Sequence, residues 1–340
     1  MKKKIRVLVI CGGSSSEREV SLNTGAQIVS TLSKRKYLIS KAEIQKDGRW
    51  LLGSGSTKPA SRSLAPISAT QNPEKAMRYD VAFIAMHGKF GEDGTIQAIL
   101  ETIGVPHTGS GVLASALGMD KEKADAMVRE HGIRTPKCLT ANGASRGTLS
   151  RLKREIKKGI GYPCVVKPNA SGSSVGVTIV REPKDLGQAI KKAIREDRTA
   201  LIQQFIDGRE LTCGVLGNSG SKLRALPPVE IIPPEGTFFD YEAKYHSQAT
   251  QEICPAPIPK KLTKELQESA KAVHSALGCD GLTRSDFILS KKKLYFLEIN
   301  TIPGLTEASL CPKEAKAAGI SFEKFLDKQI DLALSRFGKK

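Results

Sequence analysis

The sequence predicts an α/β protein whose N-terminal unit carries a parallel sheet and whose remainder is α+β. Three observations predict it. The first third alternates buried-strand runs with helical periodicity. The middle third places short strands around a helix, and the last third holds two long strands joined by a short turn. At 340 residues the chain exceeds one small domain, so two or three compact units are expected.

The elements follow in order. Residues 5–10 are an apolar run that stops at Gly12-Gly13, a first β-strand rather than a secretion signal. A Gly/Ser loop spans 12–19, after which Leu22, Ala26, Val29 and Leu32 recur at helical spacing. Residues 53–75 are rich in Ser, Pro, Ala and Thr and read as a surface insertion. Strand material resumes at 81–86, and Asp93-Gly94-Thr95 opens a helix over 96–103. One helix is expected over 119–129, stopped at Gly132. Strands at 164–167, 177–180 and 200–205 with a helix at 186–195 make a small α+β unit, about 111–203.

Beyond it, 223–229 reads as a strand, and 233–259 contains five prolines in an irregular stretch of a length that is usually functional. A helix at 262–277 precedes strands at 281–289 and 293–300.

Composition narrows the classes. Apolar residues are 39% and charged residues 26%, an ordinary globular balance. No stretch approaches the roughly 20 apolar residues of a membrane span, so no membrane partner and a cytoplasmic location are expected. Seven cysteines without CxxC spacing suggest reduced thiols. Net charge +18 invites a nucleic-acid reading, but the basic residues are dispersed and lack interleaved aromatics. A solvated basic surface that attracts small anions is the preferred reading, with no nucleic-acid partner.

Four segments carry chemistry. With a turn near 290–293, antiparallel pairing sets Asp286 roughly opposite Glu298. Alternation then places Arg284, Asp286 and Ile288 on one face, and Leu294, Phe296, Glu298 and Asn300 together on one face. Two adjacent carboxylates are costly without a counter-charge, and with an amide oxygen they suit Mg²⁺. A solvated strand end is the other reading, and these residues alone do not choose.

Residues 167–176 form a Gly/Ser loop headed by Lys167, suited to closing over phosphates, although no P-loop motif is present. In the first loop, Glu17 and Glu19 either complement the helix dipole or aim a carboxylate at a ligand ammonium. His87 ends a strand, where a hydrogen-bonded structural role competes with a ligand role.

Taken together these segments resemble the D-alanine–D-alanine ligase family. The matches are GGSSSEREVS (12–21), HGKFGEDG (87–94), TGSGVLASALGMDK (108–121) and KPNASGSSVG (167–176). YEAKY (241–245), RSDF (284–287) and LEINTIPGLTEASL (297–310) complete the series, in order over almost the whole chain.

The resemblance implies an ATP-grasp fold of three domains, 1–110, 111–203 and 204–340, with ATP between the last two. It implies ligation of two D-alanines through a D-alanyl phosphate, for peptidoglycan precursor synthesis. Lys121, Lys167, Ser173, Ser174, Gln203 and Glu210 would hold the nucleotide; Asp286, Glu298 and Asn300 would hold two Mg²⁺, or Mn²⁺ in their place.

Glu17 would take the first ammonium, linked through Ser173 to Tyr245, with His87 at its border. Arg284 and the Gly304 N–H would stabilise the oxyanion, while Lys244, Ser309 and the Leu310 N–H would receive the second carboxylate. A homodimer is implied too. Gln203 departs from enteric relatives, which carry Glu near the adenine. The alternatives are a ligase taking D-lactate or D-serine second and, in another class, a basic nucleic-acid-binding protein.

Overall fold

The computed structural model describes residues 3–54, 62–64, 79–172, 175–233 and 250–338, with side chains described outside 53–78. The first unit comprises β1 (Ile5–Gly12), α1 (Arg18–Thr31), β2 (Tyr37–Ile44), β3 (Trp50–Ser54), β4 (Arg62–Leu64), β5 (Val81–Ile84) and α2 (Thr95–Thr102). Its sheet runs β4-β3-β2-β1-β5. The pairs β1–β2 and β1–β5 are parallel as the βαβ rhythm requires, whereas β2–β3 and β3–β4 are antiparallel. Part of the expected insertion at 53–75 is therefore edge strand. The helix face also differs from expectation: α1 buries Ser21, Thr24, Gly25 and Ile28, while Ala26 is exposed. The polar members of that row are buried because they bond backbone, the Ser21 hydroxyl donating to Ala85 O at 2.7 Å.

Residues 111–131 hold two helices, not one: α3 (Val112–Met119) and α4 (Lys121–Glu130). Asp120 breaks them, its backbone extended and its carboxylate accepting from Lys123 N–H as an N-cap. The second sheet contains β6 (Cys138–Ala141), β7 (Cys164–Pro168), β8 (Thr178–Val180) and β9 (Ala200–Gln204) in the order β6-β9-β7-β8. Helices α5 (Arg146–Gly159) and α6 (Leu186–Glu196) cover it through Leu152, Ile156, Leu186, Ile190 and Ala193. Sequence reading misses β6 and α5; the apolar stripe of α5 is thin and most of its surface is charged.

The third sheet comprises β10 (Arg209–Leu216), β11 (Arg224–Ala225), β12 (Val229–Ile232), β13 (Gln251–Ile253), β14 (Leu282–Ser290) and β15 (Lys293–Asn300). Its order is β13-β12-β10-β14-β15, with β11 beside β10. The strand expected at 223–229 is two short pieces, and β13 lies inside the stretch expected to be irregular. Residues 234–249 of that stretch lie outside the described residues. Helix α7 (Lys260–Ala276) packs on one face of this sheet, and α3 and α4 join the same core. The last helices, α8 (Leu310–Ala317) and α9 (Phe322–Arg336), return to the first unit, where Phe325, Leu326 and Ile330 pack with Val7, Val9 and Phe83. Among the described residues no helix is long and apolar enough to cross a membrane.

One register detail reverses an expectation. The turn register carries Phe287 opposite Phe296 and alone would set Asp286 against Leu297, but Asp286 pairs with Glu298, so Leu297 is an extra residue in β15. The bulge moves Leu294 and Phe296 to the opposite face from Glu298 and Asn300. Phe296 is wholly buried against Phe287, ring centroids 5.8 Å apart, while Glu298 and Asn300 face a cavity. Strict alternation would have driven the acidic end of β15 into the core, at the cost of burying a charge. Phe296→Ala should therefore lose about 3–5 kcal/mol in denaturant unfolding. A loss below about 1 kcal/mol would restore the unbulged register.

Candidate active site

Strand β1 has β2 on one side and β5 on the other, so the chain reverses direction at its C-terminal end, a place where open α/β sheets leave a crevice. Glu17 sits there as the residue before α1, yet its side chain makes no cap hydrogen bond. It lines a cavity instead, close to Gly88 and Gly172; a Cβ on Gly88 would lie 2.7 Å from its Oε2. Gly88 also has φ +69°, so both backbone and space call for glycine. Of the two readings for Glu17, capping is not the one realised. Glu19, exposed in the first helical turn, fits the dipole reading.

His87, at the end of the neighbouring strand, is buried with a polar neighbour at each ring nitrogen. Nδ1 lies 3.1 Å from Ile302 O and Nε2 3.2 Å from Thr24 Oγ1. The carbonyl can only accept, so Nδ1 carries the proton; the Thr24 hydroxyl, which donates to Val20 O at 2.8 Å, lies beside Nε2. Burial lowers its pKa, which keeps the ring neutral. It borders the cavity as a structural group. Glu92, to which sequence reading assigned no role, also lines it. Its oxygens accept from Gly88 N–H at 3.0 Å and Ile302 N–H at 3.3 Å, and burial and then the Glu17 charge push its carboxyl up to about 8. A lone Glu inside a Gly-flanked loop was the available signal.

On the opposite wall, β14 and β15 present Arg284, Asp286, Glu298 and Asn300. Arg284 holds Asp286 with two parallel hydrogen bonds of 2.9 Å, Thr212 donates to Oδ1 at 2.6 Å, and Asn300 Nδ2 donates to Oδ2 at 3.2 Å. Glu298 Oε2 lies 3.5 Å from Lys121 Nζ, which also donates to Ser171 O at 2.8 Å. Asn169 ties that region down: its Oδ1 accepts from Glu122 N–H and its Nδ2 donates to Asp120.

Two cavities meet at this wall. One runs between the second and third sheets and is lined by Lys121, Lys167, Gln203, Glu210, Asp286 and Glu298. Its other end is apolar, formed by Val165, Val177, Phe205, Ile206 and Leu297. The second cavity contains Glu17, His87, Arg284, Asn300, Gly304, Ser309 and Leu310. Glu210, Asp286, Glu298 and Gly172 belong to both. Ser309 is the residue before α8, and its hydroxyl is 2.7 Å from Thr306 Oγ1. Ser173, Ser174, Lys244 and Tyr245 lie outside the described residues.

Known proteins resemble this chain in sequence and fold. Residues 6–110 match the family described as D-ala D-ala ligase N-terminus, and residues 127–331 match D-ala D-ala ligase C-terminus. The D-alanine--D-alanine ligase of Syntrophobacter fumaroxidans is 40% identical over 333 residues, 98% of either chain. The chain belongs to the D-alanine–D-alanine ligase family. Among solved structures, the VanG D-Ala:D-Ser ligase from Enterococcus faecalis superposes with a TM-score of 0.85 at 33% identity, covering 97% of this chain and 100% of that one. The D-alanine--D-alanine ligase from Bacillus anthracis, complexed with ATP, gives 0.78 at 32% identity, covering 98% and 99%. The ATP-grasp fold expected from the motifs is thus the fold of this ligase.

Behind the ligase site lies a second residue to which the sequence gave no role. Glu314, fully buried on α8, accepts from Gly214 N–H at 2.9 Å, and a Cβ on Gly214 would collide with that oxygen. Burial pushes its carboxyl up to about 8, against the pull of Arg284. The folded protein therefore holds a proton there between about pH 4.5 and 8 that the unfolded chain releases, and stability falls as pH rises through that window. The contribution is on the order of 4 kcal/mol. Glu314→Gln keeps the acceptor and should flatten that part of the pH–stability curve; parallel curves for the two proteins would mean the carboxyl is ionised.

Proposed function

We propose that this chain joins two D-alanine molecules into D-alanyl-D-alanine at the expense of ATP, in a site spanning three domains, 1–110, 111–203 and 204–340. The observation that carries the proposal is the junction of the two cavities at Asp286 and Glu298. A phosphate chain lying in one would end where a carboxylate lying in the other begins. Lys121 and Lys167 would neutralise the phosphates, Glu210 would take the ribose, and Gln203 would stand near the base. Ser173 and Ser174, in the Gly/Ser loop, would cover the phosphates.

Two carboxylates and an amide oxygen suit Mg²⁺, which needs only one or two carboxylates when phosphate oxygens complete its shell. Asp286, Glu298 and Asn300 would hold it, and Mn²⁺ by the same oxygen chemistry; the ion would offset charge repulsion during phosphoryl transfer.

The chemistry follows from need. A free carboxylate is a poor electrophile, so the first D-alanine takes the terminal phosphoryl group and becomes an acyl phosphate, with ADP leaving. Glu17 would orient its ammonium. The second amino acid, its carboxylate held by Ser309, the Leu310 N–H and Lys244, attacks through its neutral amine. The tetrahedral oxyanion meets the Arg284 guanidinium and the Gly304 N–H, and inorganic phosphate departs. Tyr245 would help to close the 233–259 segment and keep water from the acyl phosphate. Such a product serves peptidoglycan precursor synthesis in the cytoplasm.

The test is to incubate the protein with Mg-ATP and D- or L-alanine and to measure ADP and dipeptide. ADP release should require D-alanine, and Glu298→Ala should nearly abolish it in a folded protein. Arg284→Ala should lower kcat about 10²–10³-fold. Exclusive mixed product when D-serine or D-lactate is added would move the assignment to that ligase class.

A further inference from the structure

Gln203 lines the cavity among Val165, Val177, Phe205 and Ile206; Gln204 lines it too, but its side-chain oxygen is taken by Lys137 N–H at 3.4 Å. Gln203 is 3% exposed, and its amide nitrogen faces Asp125 Oδ2 at 3.5 Å. Asp125 comes from α4, is wholly buried, and has an Oδ1 that accepts no hydrogen bond. Such a group is expensive to bury and wants any donor within reach. Burial pushes its carboxyl up to about 6, with Lys167, Arg129 and Lys121 pulling it down, so it is ionised at neutral pH. An ionised carboxylate only accepts. The amide must therefore turn its NH₂ group to Asp125, which leaves the carbonyl oxygen for the cavity.

We infer that Asp125 is a positioning residue for nucleotide selection: it locks Gln203 with its oxygen toward the base, so that the cleft takes a 6-amino purine and rejects a 6-oxo purine. The inference rests on reading this cleft as the nucleotide site. A purine amino group donates to that oxygen, whereas a 6-oxo group would set two acceptors against each other. Without Asp125 the amide is free to flip and present NH₂, and an unlocked amide accepts both bases.

The test uses ADP and IDP, which differ at this position, with binding measured by calorimetry at pH 8 and D-alanine KM measured alongside. Wild type should prefer ADP by roughly 30-fold, and Asp125→Asn should narrow the preference to about threefold, mainly by gaining IDP affinity. D-alanine KM should stay unchanged. Adding Gln203→Glu to that variant restores an oxygen facing the base and should return the preference. Asp125→Ser carries the same expectation if the Asn variant fails to fold. A folded variant that keeps the wild-type ratio, or loses both nucleotides equally, overturns the positioning role. Wild type that binds neither nucleotide would remove the nucleotide reading and this inference with it.

Discussion

Three side chains from three strands converge on the Asp286 carboxylate: Thr212 from β10, Arg284 from β14 and Asn300 from β15. The carboxylate is nearly buried, and an unpaired charge there would be costly. Its bidentate pair with Arg284 makes the charge tolerable and holds the guanidinium toward the second cavity. Cross-strand pairing does the rest, setting Asp286 opposite both Thr212 and Glu298. The bulge at Leu297 is what lets the same strand serve a dry core through Phe296 and a charged cavity through Glu298.

The acidic groups around this point divide by environment. Asp286 and Glu298 each have a cationic neighbour, Arg284 and Lys121. Glu92 accepts from two backbone N–H groups and Glu314 from Gly214 N–H and the Cys311 thiol; both are buried, and their carboxyls are pushed up to about 8. Carboxylates a few residues apart in space thus take opposite roles, ligand-facing charge and neutral structural acceptor. The cysteines near them are buried in the same apolar surroundings, and Cys213 and Cys311 are held as thiols, consistent with space-filling.

The N- and C-terminal parts are fastened together away from the chemistry. Arg336, near the end of α9, donates to Gly109 O at 2.7 Å, lies 2.9 Å from His107 Nε2 and pairs with Asp280 at 3.4 Å. Tyr37 Oη donates to Asp327 at 2.8 Å on the same helix. These contacts fix β5, and hence His87 and Glu92, relative to β14 and Arg284. The Ile302 peptide is held on both sides by that loop, its carbonyl by His87 and its N–H by Glu92.

By itself the sequence determined the strand–helix alternation of the first unit with its parallel pairs, and many of the residues that line the two cavities, because strand and helix periods and Gly-rich loops are local properties. The approximate juxtaposition of Asp286 and Glu298 was legible, since a short turn sets the register to within a residue. It could not decide which face Phe296 takes: one extra residue in a strand is invisible to periodicity until its partner strand is known. The break at Asp120, the partners of Asp125 and Glu314, and the neutral state of His87 were likewise decided only in three dimensions. Each depends on what lies across a packed interface from residues tens or hundreds of positions away, and burial, which shifts a carboxyl or commits a ring nitrogen, has no local signature in the chain.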